Sequence, residues 1–98
     1  MKFVNIGFGN LVAADRIVTV VSPESAPIKR LVVDAKQAGS LIDATYGHKT
    51  QSVIVTDSDH VILTFLSVGS MLNRLGGEKE NATELHSDPI AQTEDFNV

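Results

Sequence analysis

Cysteine is absent from the 98-residue chain, which excludes a disulfide framework, thiolate metal sites and a cysteine nucleophile. Aromatic residues make up only 5% of the chain and do not interleave with basic ones in sequence, so no base-stacking platform is visible. Apolar runs stay at four or five residues, as at 17–21 with Thr19 inside, so neither a membrane span nor a signal-peptide core is expected. The expectation is a cytoplasmic protein that contacts no membrane. At 98 residues there is room for one small domain with a short appendage and none for a two-domain enzyme. What is present suits a folded protein: 43% apolar residues, 20% charged and a mean hydropathy of +0.09.

The net charge of −4 is unevenly spread. Residues 1–77 hold seven Lys/Arg against six Asp/Glu, net +1, whereas residues 78–98 hold Lys79 against six acids, net −5. The chain therefore divides into a nearly neutral domain at 1–77 and an acidic tail at 78–98, which is expected to be disordered.

Residues 2–8 alternate as a strand and run into Gly9-Asn10, a dipeptide suited to a turn. Residues 11–21 are rich in β-branched side chains and stop at Ser22-Pro23, reading as a strand or a bent pair with a bulge or turn at Asp15-Arg16. From Pro27 the period lengthens: Ile28, Leu31, Val32 and Ala35 mark one face of a helix that Gly39 ends. Residues 41–46 read as a strand closed by Gly47, and 53–56 with 61–65 as a hairpin around Asp57-Ser58-Asp59-His60. Ser67 can cap a last helix with Val68, Met71, Leu72 and Leu75 on one face, weakened at Gly69 by roughly 1 kcal/mol relative to alanine. The fold class is α+β, a small mostly antiparallel sheet with two short helices. Residues 53–55 and 61–63 put apolar side chains on both faces of their hairpin. Two short helices cover one face; further strands or another subunit must cover the other, so a homo-oligomer is expected.

Most motif candidates have a plain structural reading. Gly7-Phe8-Gly9 follows a strand, but a dinucleotide fingerprint needs a small residue opening a helix at position 12, where Val12 continues a strand. Asp57, Asp59 and His60 offer oxygen and imidazole ligands yet lack a third carboxylate, and read as a turn closed by Asx-type bonds. Elbow, paired-histidine and P-loop motifs are missing, so no catalytic residue, metal site, cofactor or small-molecule substrate is expected. Asn81-Ala82-Thr83 fits a glycosylation sequon without a secretory context. The remaining chemistry is basic: Arg16 at the bend, Lys29 and Arg30 on the first helix, and His48-Lys49 in a loop where donors can reach a phosphate backbone. A ring of subunits would repeat such a modest spot as a belt.

Several strings together carry a family resemblance: Asn5-Ile6-Gly7-Phe8-Gly9-Asn10, Ser22-Pro23-Glu24-Ser25-Ala26-Pro27-Ile28-Lys29-Arg30, Leu41-Ile42-Asp43-Ala44-Thr45-Tyr46-Gly47 and Thr56-Asp57-Ser58-Asp59-His60. Across residues 2–75 the chain resembles the bacterial RemA family of extracellular matrix regulatory proteins. The resemblance implies a protomer similar to a LytTR-type DNA-binding domain, assembly into closed rings, and activation of biofilm-matrix genes. It also implies DNA contacts at an early arginine, matched by Arg16, and in the loop after the Asp-Ala-Thr-Tyr-Gly string. Family members usually carry Arg-Arg-Thr-Arg in that loop; here it reads His48-Lys49-Thr50-Gln51, which replaces bidentate forks by an imidazole, an ammonium and an amide. The reading is thus a ring-forming DNA-binding regulator contacting phosphates through Arg16, His48 and Lys49, with Lys29 and Arg30 assisting or stabilising a subunit contact. The alternative is a ring scaffold that binds a protein partner and has lost DNA binding.

Overall fold

A computed structural model describes residues 2–76. The expected acidic tail at 78–98 lies outside them. The chain opens with a hairpin of β1 (Phe3–Asn5) and β2 (Leu11–Ala13), paired Val4 to Val12 and Asn5 to Leu11. A single 3-10 turn, Ala14–Arg16, follows where the polar break at Asp15-Arg16 is expected, and leads into β3 (Ile17–Val21). Helix α1 (Ala26–Ala38) has Ser25 as its N-cap, with Oγ accepting from Ile28 N at 3.3 Å, and Pro27 in its first turn. The short strand β4 (Leu41–Asp43) precedes the hairpin β5 (Ser52–Thr56) and β6 (Val61–Thr64), and α2 (Val68–Arg74) begins where Ser67 Oγ accepts from Ser70 N at 3.1 Å.

Beyond the first hairpin the strands form one sheet in the order β3-β5-β6-β4, antiparallel except for β4, which runs parallel to β6. Strands β5 and β6 are central and buried; β3 and β4 are the edges. Apolar side chains do alternate to both faces of the central pair, and both faces are covered within the chain. On one face α1 packs Ala35, Ile28, Leu31 and Val32 against Val53 and Val61. On the other, Val4 and Ile6 of the first hairpin segment and Met71 of α2 close over Ile54 and Ile62. Of the two covers expected for the second face, it is further strands of the same chain that supply it, since the first hairpin forms a sheet of its own packed on the main one; the two helices, expected on one face, lie on opposite faces, so no bare sheet face is left to call for another subunit. Exposed apolar side chains are spread over the first hairpin (Phe3, Leu11), both helices (Val33, Val68, Leu72) and the edge strands of the main sheet. Val18, where the β3 register shifts by a bulge, is 66% exposed, and Ile42 of β4 is also exposed.

Two expected strands end early. The first stops at Asn5 and the fourth at Asp43, because the residues after them form tight turns. Asn10 N donates to Gly7 O at 3.0 Å around Phe8 (φ 57°) and Gly9 (φ 79°). His48 N donates to Thr45 O at 3.0 Å around Tyr46 (φ 55°) and Gly47 (φ 88°). Positive φ at both central residues is the requirement of a type I′ turn, usually met by Asn-Gly. In both turns here an aromatic residue takes the first position.

Candidate functional site

The two aromatic turns come from segments some forty residues apart, yet they meet at one end of the sheet. The rings of Phe8 and Tyr46 stack with centroids 4.9 Å apart and planes 20° from parallel. Phe8 also stacks on His48 at 5.4 Å and 19°, and Phe65, just beyond β6, tilts against Phe8 at 5.0 Å and against His48 at 5.8 Å. These separations suit attractive ring pairs. Tyr46 is 78% exposed, so the face turned away from Phe8 meets solvent.

The cluster is held rigidly from below. Asp43 Oδ1 accepts from Thr45 N at 3.0 Å and from Thr45 Oγ1 at 2.6 Å, bonds that hold its carboxyl below the usual carboxylate range and fix the start of the Tyr46 turn. Thr45 itself is buried. On the other side, Asn5 Oδ1 accepts from Gly7 N at 2.7 Å, and Arg74 Nη1 of α2 donates to Asn5 O at 3.0 Å. Gly7 (φ 110°) lies against Phe65, and a Cβ there would collide with Phe65 Cε1. Glycine at this position is what lets the Phe65 ring reach the stack.

His48, itself one of these rings, and Lys49, the next residue, are both exposed. Arg16 is elsewhere. Its carbonyl accepts from Asp57 N at 2.9 Å, and its Nε donates to Asp57 Oδ1 at 2.9 Å and Oδ2 at 3.0 Å. That contact raises the Arg16 pKa, first through the hydrogen bond and then through the charge of Asp57. Arg16 thus sits past the Thr56 end of β5, while His48 and Lys49 precede its Ser52 end, so the length of the strand, roughly 13 Å, separates them. A single protomer does not gather the three into one patch. Lys29 and Arg30 are exposed on α1, with Arg30 Nε 3.3 Å from Asp34 Oδ1.

The turn at Asp57-Ser58-Asp59-His60 is closed differently from expectation. Thr56 Oγ1 accepts from His60 N at 3.2 Å and lies 2.9 Å from Ser58 Oγ, which lies 2.8 Å from His60 Nδ1. These hydroxyl contacts add to two backbone bonds that close the turn, Asp59 N to Thr56 O and Thr56 N to His60 O, both at 3.1 Å, while Asp57 is committed to Arg16. Among the described residues no cluster of three or more His, Cys, Asp or Glu is placed to hold a metal. No helix among them is long and apolar enough to cross a membrane.

The aromatic cluster is what sequence reasoning missed, and it corrects the view that no aromatic platform accompanies the basic loop. Phe8 and Tyr46 each look like the last residue of a strand, the usual place for an aromatic. The available signal was an aromatic-glycine pair closing both strands, Phe8-Gly9 and Tyr46-Gly47, since glycine there implies a turn with positive φ. A second feature, an apolar groove of about 470 Å³, runs between β3 and α2 and is lined by Ile17, Val18, Val20, Val68, Leu72 and Leu75 among others.

Comparison with known proteins gives a family match over residues 3–75, to the model described as RemA-like, extracellular matrix regulatory protein A-like. A protein of Geobacillus thermodenitrificans is 55% identical over 84 residues, covering 86% of this chain and 97% of that protein. One from Alkaliphilus oremlandii is 55% identical over 87 residues, covering 89% of this chain and 92% of that protein. One from Desulforamulus reducens is 59% identical over 75 residues, covering 76% and 83%. All three carry the name "Putative regulatory protein".

Proposed function

Because this chain belongs to the RemA-like family of regulatory proteins, we propose that it is a cytoplasmic, ring-forming, DNA-binding transcriptional regulator of biofilm and extracellular-matrix genes, built from a LytTR-like protomer. The observation that carries the reading is the pinned loop at 46–49, which presents His48 and Lys49 to solvent on a rigid turn in a chain whose relatives are named as regulators. Lys49 supplies a point charge for a phosphate, and the backbone of a fixed turn holds it in register. Arg16 supplies a second cationic point, tethered to Asp57 through Nε with its side chain 56% exposed. Two separated points per protomer suit a backbone followed over a distance, and a ring repeats both.

Self-association is supported by the edges. The exposed strands β3 and β4 lie on opposite sides of the sheet, so one copy can meet the next head to tail, the arrangement that closes into a ring. The groove beside Val18 and Leu72 offers apolar area on the β3 side. Lys29 and Arg30 then assist at the DNA or stabilise a contact between subunits.

One observation favours the second reading, a ring scaffold that binds a protein partner. Arg16 and Arg30 already have carboxylate partners, which leaves less free positive charge for DNA. A salt titration separates the two. Duplex of unrelated sequences should be retarded in low salt with an affinity that falls steeply as salt rises, and Lys49→Ala should weaken all sequences about equally while lowering the slope by about 0.9 for each phosphate no longer neutralised. Intact oligomers that retard no duplex in low salt would overturn the DNA reading and favour the scaffold.

A further inference from the structure

We propose that Tyr46, backed by Phe8 and flanked by His48 and Lys49, is a stacking platform for an unpaired nucleobase, and that the protein binds single-stranded DNA through it. The inference rests on the nucleic-acid reading above and adds a ligand class to the same loop. Four rings converge at one corner of the fold, and Tyr46, at the end of the Phe8–Tyr46 stack, turns a face to water. An exposed ring face with an exposed lysine three residues further along the same loop is the combination that single strands use, with a base on the ring and a phosphate on the cation. A duplex offers no such base face, since its bases are stacked on one another.

The backbone adds a second line of support. Phe8 and Tyr46 both adopt left-handed φ, which a bulky side chain seldom takes and which an Asn would occupy more easily. For Tyr46 the compensation within the protomer is small, because most of its ring is exposed and its main contact is Phe8. Strain held in place by a buried Thr45 and a bonded Asp43, and directed to keeping one ring at the surface, points to a ring that is used. The surroundings suit an anionic strand: Lys49 follows His48 directly, residues 44–51 hold no carboxylate, and Asp43 at the end of β4 bonds Thr45 through Oδ1.

The sequence also makes the platform easy to observe. Tyr46 is the only tyrosine, and the chain has no tryptophan, so a Tyr46→Trp variant carries one emitter that can be excited away from nucleic-acid absorption. The full chain is titrated in low salt with an oligodeoxynucleotide bearing one 2-aminopurine, followed by anisotropy for binding and by 2-aminopurine emission for stacking. A fully paired duplex of the same sequence is the second arm. The wild type should bind the strand with a change in 2-aminopurine emission. Tyr46→Leu should weaken strand binding about tenfold and abolish that change, a larger loss of affinity than the paired duplex shows with the same variant. Tyr46→Trp should keep the affinity and show its own emission quenched. Strand binding with unchanged 2-aminopurine emission, equal in wild type and Tyr46→Leu, would overturn the platform while leaving the DNA reading intact. An indole at position 46 that acrylamide cannot quench in the free protein would also overturn it, because a neighbouring copy would then cover the ring. Failure to bind either strand or duplex would remove both readings together.

Discussion

Thr64 Oγ1 donates to the Ile6 carbonyl at 2.9 Å and accepts from Leu66 N at 3.1 Å, in a site with no access to water. This one hydroxyl joins the central sheet to the segment that follows β1 and so sets the height of the Phe8 turn above Phe65. Thr64→Val keeps the shape and leaves both partners unsatisfied, and should cost roughly 2–3 kcal/mol in a urea titration. Gly7→Ala should cost about 2 kcal/mol through its φ and displace Phe65 from the stack, visible as an upfield ring signal moving toward its random-coil position. Tyr46→Asn relieves a strained φ of about 1 kcal/mol while giving up a largely exposed ring, so its melting temperature should be equal to or above that of the wild type. A clear drop in melting temperature would mean that the Tyr46 ring is structural rather than held out for use.

At the scale of elements, the Asp43 turn couples stability to pH. An aspartate ordinarily titrates near about 3.9, and the Thr45 bonds hold Asp43 lower. A depressed carboxylate contributes stability that is fully present above the unfolded value and is lost as pH falls through the folded one. The difference in stability between wild type and Asp43→Ala should therefore be constant from neutral pH to about 5 and shrink below that, followed by thermal unfolding across pH. A constant difference down to about pH 2 would remove the carboxylate's role. The same elements show what was legible in the sequence. Both helices, the Ser67 cap and the 57–60 turn follow from local signals: the i, i+3, i+4 stripe, Pro27, and polar residues between apolar runs; the Ser25 cap, ahead of the start expected at Pro27, is seen only in the structure. The lengths of β1 and β4 do not, because Phe8 and Tyr46 carry strand propensity and only the closing hydrogen bonds assign them to turns. Nor does the cover over Ile54 and Ile62, since nothing local says that the first hairpin leaves the main sheet and packs across it.

At the scale of the molecule, the candidate cations were legible as residues and not as a patch. Arg16 looks close to the 48–49 loop only if the position of β5 is ignored; pairing Ile17 with Thr56 carries it to the far end. On the proposed reading a single copy offers two separated cationic points, and repetition of them by assembly is what would let them hold DNA. The net −5 of residues 78–98 opposes that attraction, so deleting them should tighten duplex binding in low salt and change little in high salt, where the charges are screened. Equal affinity at low salt would separate the tail from the interface. The central claim, a closed assembly whose repeated cations hold DNA, is tested most directly by native mass spectrometry of the full chain with and without duplex. The account predicts one discrete oligomer at micromolar protein and the same oligomer carrying DNA when duplex is added; a monomer at that concentration, or an oligomer that never acquires DNA, would contradict it.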